Sequence, residues 1–140
     1  MRFRGLTFSR KGVPKGRHAH GLLARGRVRR PDKFYSRVAI ARDYLAAYFR
    51  QSVTSTQLER ETGLDRYSLA RAFRRHFGTS PYRYLTMRRL DRVRATLRTD
   101  SSLADAACDA GFADQSHMSR QFKQAFGLSP GRWRELDRPV

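Results

Sequence analysis

Residues 65–84 and 114–133 carry one pattern twice, and that repeat constrains the fold more than any other feature of the chain. Set 49 positions apart, Asp65, Arg71, Phe73, Phe77, Gly78, Ser80, Pro81 and Arg83 recur as Asp114, Arg120, Phe122, Phe126, Gly127, Ser129, Pro130 and Arg132. Leu69 and Met118, Arg74 and Lys123, and Tyr84 and Trp133 are similar pairs in the same register. Upstream, Gly63 matches Gly111 at 48 positions, so the two turns differ in length by one residue. Each copy therefore reads as a short helix, a Gly turn, a longer basic helix, a Gly stop, then Ser-Pro and an aromatic. A sequence that repeats itself in this way is expected to build one supersecondary unit twice.

The apolar spacing extends this into an all-α fold, with no stretch alternating at period two. Val38, Ala41, Leu45 and Tyr48 mark one face of a first helix, about 36–49. A short helix follows at about 55–62, where Thr56 and Glu59 fit a capping box and Gly63 a stop. The next runs from Asp65 to Phe77, with Leu69, Phe73 and Phe77 on its buried face. Pro81 opens a long helix to about Arg98, apolar at Tyr84, Leu85, Leu90, Val93 and Leu97. Helices at about 102–110 and 114–126, and a last turn or two through Leu136, complete seven. Phe122, Phe126 and Trp133 join the expected core, and Cys108 is expected there as a small buried side chain.

Charge divides the chain. It has 140 residues, 30 Lys plus Arg against 12 Asp plus Glu, and a formal net charge of +18. Residues 1–33 hold eleven of the cations and only one anion, Asp32, among glycines and scattered apolar residues. This segment is expected to be a largely disordered basic arm or linker, with residues 34–140 forming the folded domain. Such a field attracts polyanions and points to nucleic acid or an anionic membrane surface. No apolar window is long enough to span a membrane, and none follows the basic start as in a secretory signal. One cysteine makes neither an internal disulfide nor a thiolate zinc site, which fits a cytoplasmic location. No metal or other cofactor is expected, the pair His18 and His20 included. No phosphate-binding Gly loop, nucleophile elbow or general acid–base pair stands out, so no enzyme is proposed.

A short helix, a tight Gly turn and a second helix make a helix-turn-helix, whose second helix enters the DNA major groove. Here the first unit covers about 54–78 and the second about 102–127. The two second helices would present unlike faces: Tyr67, Ala70 and Arg71 in one, Gln115, Ser116 and Arg120 in the other. Arg pairs bidentately with guanine, Gln with adenine, and an Ala methyl can meet thymine. Arg74, Arg75, His117 and Lys123 are phosphate candidates. Two unlike reading heads in one chain imply an asymmetric site read without dimerisation. The linking helix, about 81–98, spans roughly 25 Å at 1.5 Å per residue. With its flanking turns it would set the heads about one DNA turn (~34 Å) apart.

The residues from Leu69 to Arg75, Gly78-Thr79-Ser80-Pro81, Ala106 to Phe112 and Asp114 to Lys123 resemble the DNA-binding domain of the AraC/XylS family of bacterial transcription regulators. Gly127-Leu128-Ser129-Pro130 and Trp133-Arg134 close that resemblance, which covers roughly residues 36–136. It implies seven helices and two helix-turn-helix units joined by the long helix. It also implies double-stranded DNA and RNA polymerase as partners, and places Tyr67, Ala70, Arg71, Gln115, Ser116 and Arg120 at base-facing positions. Two departures stand out. Met118 replaces the usual Phe or Leu, a mild change. Ser55 and Glu59 occupy positions matching Leu103 and Ala107, where the family prefers apolar or small residues. The first unit is thus either more loosely packed or has a shifted brace helix. The arm is too short to hold the effector-binding domain many members carry, so no small-molecule effector is expected in this chain. Its alternatives are a nonspecific architectural DNA-binding protein, or a C-terminal fragment of a larger effector-responsive regulator.

Overall fold

The computed structural model describes residues 32–138. The expectations of a disordered arm and of no metal at His18 and His20 lie outside the described residues.

Among the described residues there are seven helices and no strand. They are α1 (Tyr35–Ala47), α2 (Ser55–Thr62), α3 (Arg66–Phe77), α4 (Pro81–Leu97), α5 (Leu103–Asp109), α6 (Gln115–Phe126) and α7 (Pro130–Asp137). Punctuation in the sequence explains the boundaries. Asp65, Ser80, Ser102, Asp114 and Ser129 are N-caps whose side chains accept backbone N–H groups of the first turn. Pro81 and Pro130 occupy first helical positions, where no N–H is needed. Gly78 and Gly127 close the long second helices in the left-handed conformation, at φ 72° and 77°.

Three local expectations need correction. The capping box of α2 is built by Thr54 and Gln57, not by Thr56 and Glu59. Helix α2 starts two residues earlier than that pair requires, and Thr54 has the extended backbone a cap needs. Tyr48 is not on the buried face of α1: it caps the helix and is 43% exposed. Cys108 is exposed rather than buried. Ala106 and Ala107 are the buried residues of α5, Ala110 is buried at its C-cap, and Cys108 lies about 200° around the helix from Ala106, toward solvent.

There are two cores, one per unit. Val38, Ala41, Leu45, Leu58, Leu64, Leu69, Phe73 and Leu85 form the first. Leu90, Val93, Leu97, Ala106, Phe112, Met118 and Phe122 lie in the second. Helix α4 serves both: Leu85 faces the first core, whereas Leu90, five residues and about 140° further round, faces the second. The aromatic packing is repeated as faithfully as the sequence. Phe73 meets Phe77 at 4.8 Å and 63°, and Phe122 meets Phe126 at 4.7 Å and 63°. Phe73 meets Tyr84 edge-on at 5.7 Å, and Phe122 meets Trp133 edge-on at 5.8 Å.

The repeat also reaches further back than residue 63. Helix α1 stands to the first unit as α4 stands to the second. Val38, Ala41 and Leu45 take the buried places of Leu90, Val93 and Leu97, 52 positions on. Arg42 lies over the Phe77 ring at 5.3 Å and Arg94 over the Phe126 ring at 5.2 Å. Each unit is thus a three-helix bundle, α1–α3 or α4–α6, that presents its third helix outward.

Candidate nucleic acid interface

The third helix of each bundle buries one stripe and exposes the opposite one. In α3 Leu69 and Phe73 are buried, while Tyr67, Ala70, Arg71 and Arg74 are exposed at i, i+3, i+4 and i+7. In α6 Met118 and Phe122 are buried, while Gln115, Ser116, Arg120 and Lys123 are exposed. Burial of a Phe contributes roughly 1.5–3 kcal/mol, so Phe73 and Phe122 fix which face turns outward. Tyr67, Ala70 and Arg71 therefore share one outward face, and Gln115, Ser116 and Arg120 share another.

The N-terminal ends of both helices are held by carboxylates. Asp65 accepts from the backbone N–H of Tyr67 and Ser68, both at 3.0 Å. Hydrogen bonds from Ser68 and Tyr67 hold the Asp65 carboxyl below the usual carboxylate range. Asp114 accepts from the N–H of His117 at 2.7 Å. In the first unit Glu59 adds a second tie, accepting from the N–H of Arg66 at 2.7 Å. That bond explains the polar residue on the brace helix. Glu59 sits half-buried and caps α3, while Leu58 fills the place that Ala106 holds in the second unit. The smaller Ala106 is matched by a larger turn residue, Phe112 in place of Leu64.

The phosphate candidates differ in setting. Arg74 and Lys123 are exposed at matching positions on the outward faces. Arg75 is also exposed, and its guanidinium reaches Asp32 at 3.8 Å. His117 is half-buried with its ring edge-on to Phe112 at 5.5 Å and 82°.

Three features went unseen in the sequence. Asp32 lies beside α3, lining a groove of about 270 Å³ with Phe34, Ser68, Arg71, Arg75 and His76. His76 is largely covered, edge-on to Tyr35 at 5.5 Å. Tyr82, at the start of α4, is 63% exposed and shares a groove of about 340 Å³ with Tyr67, Ala70 and Ser55. The corresponding place in the second unit is Gly131, so only the first head carries this aromatic rim. An exposed aromatic just after a helix-opening proline was the available signal.

Residues 58–136 match the family described as "Helix-turn-helix domain". The chain belongs to the AraC/XylS-type helix-turn-helix family. A 93-residue stretch is 34% identical to the HTH-type transcriptional activator RhaS of Escherichia fergusonii, covering 66% of this chain and 34% of that protein. The chain thus spans about a third of the length of that curated relative. Its fold is similar to the crystal structure of a probable AraC family transcriptional regulator from Rhodopseudomonas palustris CGA009. The TM-score is 0.67 at 26% identity, over 74% of this chain and 99% of that one. The DNA-binding domain of AdpA, solved in complex with a target DNA, shares the fold at a TM-score of 0.66 and 22% identity, over 71% of this chain and 90% of that one.

Among the described residues no helix is long and apolar enough to cross a membrane. No group of three His, Cys, Asp or Glu among them is placed to hold a metal ion.

Proposed function

We propose that this AraC/XylS-type domain reads an asymmetric double-stranded DNA site as a transcription regulator, with α3 and α6 in successive major-groove segments. The observation that carries the reading is the pair of bundles with matching cores and ring pairs whose outward faces bear unlike side chains. Arg71 and Arg120 pair with guanine, Gln115 with adenine, and Tyr67, Ala70 and Ser116 complete the base-facing sets. Arg74, Arg75, Lys123 and His117 contact phosphate and set the register. Residues 34–140 act as the DNA-binding domain. Residues 1–33 act as a basic arm that adds salt-sensitive affinity without choosing the site.

The DNA-bound AdpA domain supports this placement through its shared fold. The name of the RhaS relative supports activation, with RNA polymerase as the second partner and the cytoplasmic nucleoid as the place of action. No small-molecule effector, cofactor or catalysis is assigned to this chain.

Selection of bound duplexes from a random library, at about 150 mM salt, tests the reading. An enriched asymmetric motif with two blocks about one turn (~10 base pairs) apart is expected. Tight binding with less than about tenfold discrimination between sequences would make the protein an architectural DNA binder instead.

A further inference from the structure

The loop after α1, residues 48–51, touches the second unit at three places. Arg89 of α4 donates from Nε to the carbonyl oxygen of Phe49 at 2.7 Å and from Nη2 to that of Gln51 at 2.8 Å. The same guanidinium lies over the Phe112 ring, 6.0 Å from its centroid. Burial pulls the Arg89 pKa below its ordinary value, the mark of a cation placed for its donors rather than for solvent. Arg50 of the loop reaches Asp109 of α5 at 3.4 Å, and the same carboxylate accepts from Arg92 of α4. Gly111, in the turn of the second unit at φ +84°, has the Arg50 backbone against it. A Cβ built on Gly111 would stand 2.6 Å from the Arg50 carbonyl oxygen and 2.7 Å from its Cα. No side chain fits there.

Phe49 packs on the edge of the first core, and Phe112 is part of the second. The hydrogen bonds and the ion pair complete neither core. What they fix is how one bundle stands against the other. Helix α1 also packs along α4, and Leu85 of α4 enters the first core. The loop contacts, at the C-terminal end of α1, add a second hold on the angle between the bundles.

The geometry points to a rigid joint, built from Arg89, Gly111 and the Arg50–Asp109 pair, that holds the two reading helices at one separation and one rotation. The chain therefore selects the spacing between the two blocks of its DNA site. This rests on the two-headed reading above. Linking two modules raises affinity by roughly 10²–10⁴ only when both can engage at once. Each inserted base pair shifts one block by about 3.4 Å and turns it by roughly 35°.

Two measurements test the joint. The first needs no DNA. In a Cys108→Ser background, Arg74→Cys and Lys123→Cys carry nitroxide labels, and the distance distribution is read in the free protein. A narrow distribution that broadens on Arg89→Gln is expected. One equally broad with Arg89 present would overturn the joint.

The second uses selected two-block duplexes with zero, one or two base pairs inserted between the blocks. The unaltered chain should lose at least about tenfold in affinity on insertion. Arg89→Gln and Gly111→Ala should bind the uninserted duplex about tenfold more weakly, and insertion should then cost less than about threefold. Binding to a duplex with one block should stay within about twofold. Arg50→Ala, which removes a half-exposed side chain and leaves its backbone in place, should relax spacing to a lesser degree and keeps the test open if the other variants fold poorly. Variants that keep the full insertion penalty would refute the joint. Failure to select any two-block site, with a narrow free-state distance, would instead overturn the two-headed reading and leave the joint standing.

Discussion

The two units share a skeleton and differ in what they show to DNA. Helix α3 exposes Arg66, Arg71, Arg74 and Arg75, whereas α6 exposes only Arg120 and Lys123 as cations, beside Gln115, Ser116 and Gln124. The first head also carries the Tyr67–Tyr82 rim, and Asp32 lies at the edge of its cationic face. Cationic side chains mainly supply phosphate affinity and salt dependence, and amides add base readout. The difference teaches that duplicated packing frees the outward face. With Phe73 and Phe122 doing the same job in each core, the surface stripe of each helix can diverge. In this account the first head supplies most of the grip and the second most of the discrimination.

The largest expected effect tests the shared skeleton. Phe73→Ala and Phe122→Ala should each destabilise the fold by about 3–5 kcal/mol in urea unfolding followed by circular dichroism. Equal losses in a single transition would mark the cores as equivalent and coupled through α4. Two separate transitions would mark them as independent bundles.

Discrimination comes next. Arg120→Ala should weaken binding by about 1–3 kcal/mol and relax one position of the selected motif. Arg74→Ala should weaken all duplexes alike and reduce the salt slope by about one. If Arg120→Ala weakens every sequence equally, that side chain touches phosphate and the division of labour fails.

Helix capping gives a smaller effect with a pH signature. Asp65→Ala removes the α3 cap and should lower the melting temperature modestly. The Asp65 carboxyl is held down by hydrogen bonds from Ser68 and Tyr67, and that of Asp109 by Arg92 and then Arg50. Groups with lowered folded pKa values contribute stability that is present above their unfolded pKa near ~3.9. That contribution is lost as pH falls through the folded value. Thermal melts from pH 7 to pH 2 should therefore drop on the acid side, and Asp65→Asn should shrink the drop while keeping the cap. An acid limb unchanged in both Asp65→Asn and Asp109→Asn would refute this origin.

The smallest effect concerns Asp32. Its ion pair with Arg75 is partly exposed, and such pairs contribute about 0–1 kcal/mol. Asp32→Asn should tighten DNA binding by no more than a few-fold, and more at low salt than at high. A weakened complex would show that Asp32 orients Arg75 rather than competing for it.

Most of this fold was legible in the sequence because its signals are local. Caps, Gly stops and the spacing of Leu69, Phe73 and Phe77 act within one or two turns, so seven helices could be placed to within a few residues. The relation of α1 to α4 is fainter: Leu45 and Leu97, and Arg42 and Arg94, are identical only at a different offset of 52, while Val38 and Leu90 or Ala41 and Val93 match in burial alone. Thr54 and Thr56 each precede a residue that can complete a capping box, and only the start of α2 decides between them. Candidate reading residues could be named because their faces follow from the buried stripes. Asp32 beside Arg75, and the loop at 48–51 against Gly111, depend on contacts between residues far apart in the chain. No local pattern announces those.

Hydroxyl-radical footprinting of the full chain on its selected duplex tests the central claim most directly. Two protected windows on one face, about 10 base pairs apart, are predicted, with Arg71→Ala and Arg120→Ala each weakening a different window. A single window, or two that fade together with either substitution, would contradict a protein with two separate reading heads.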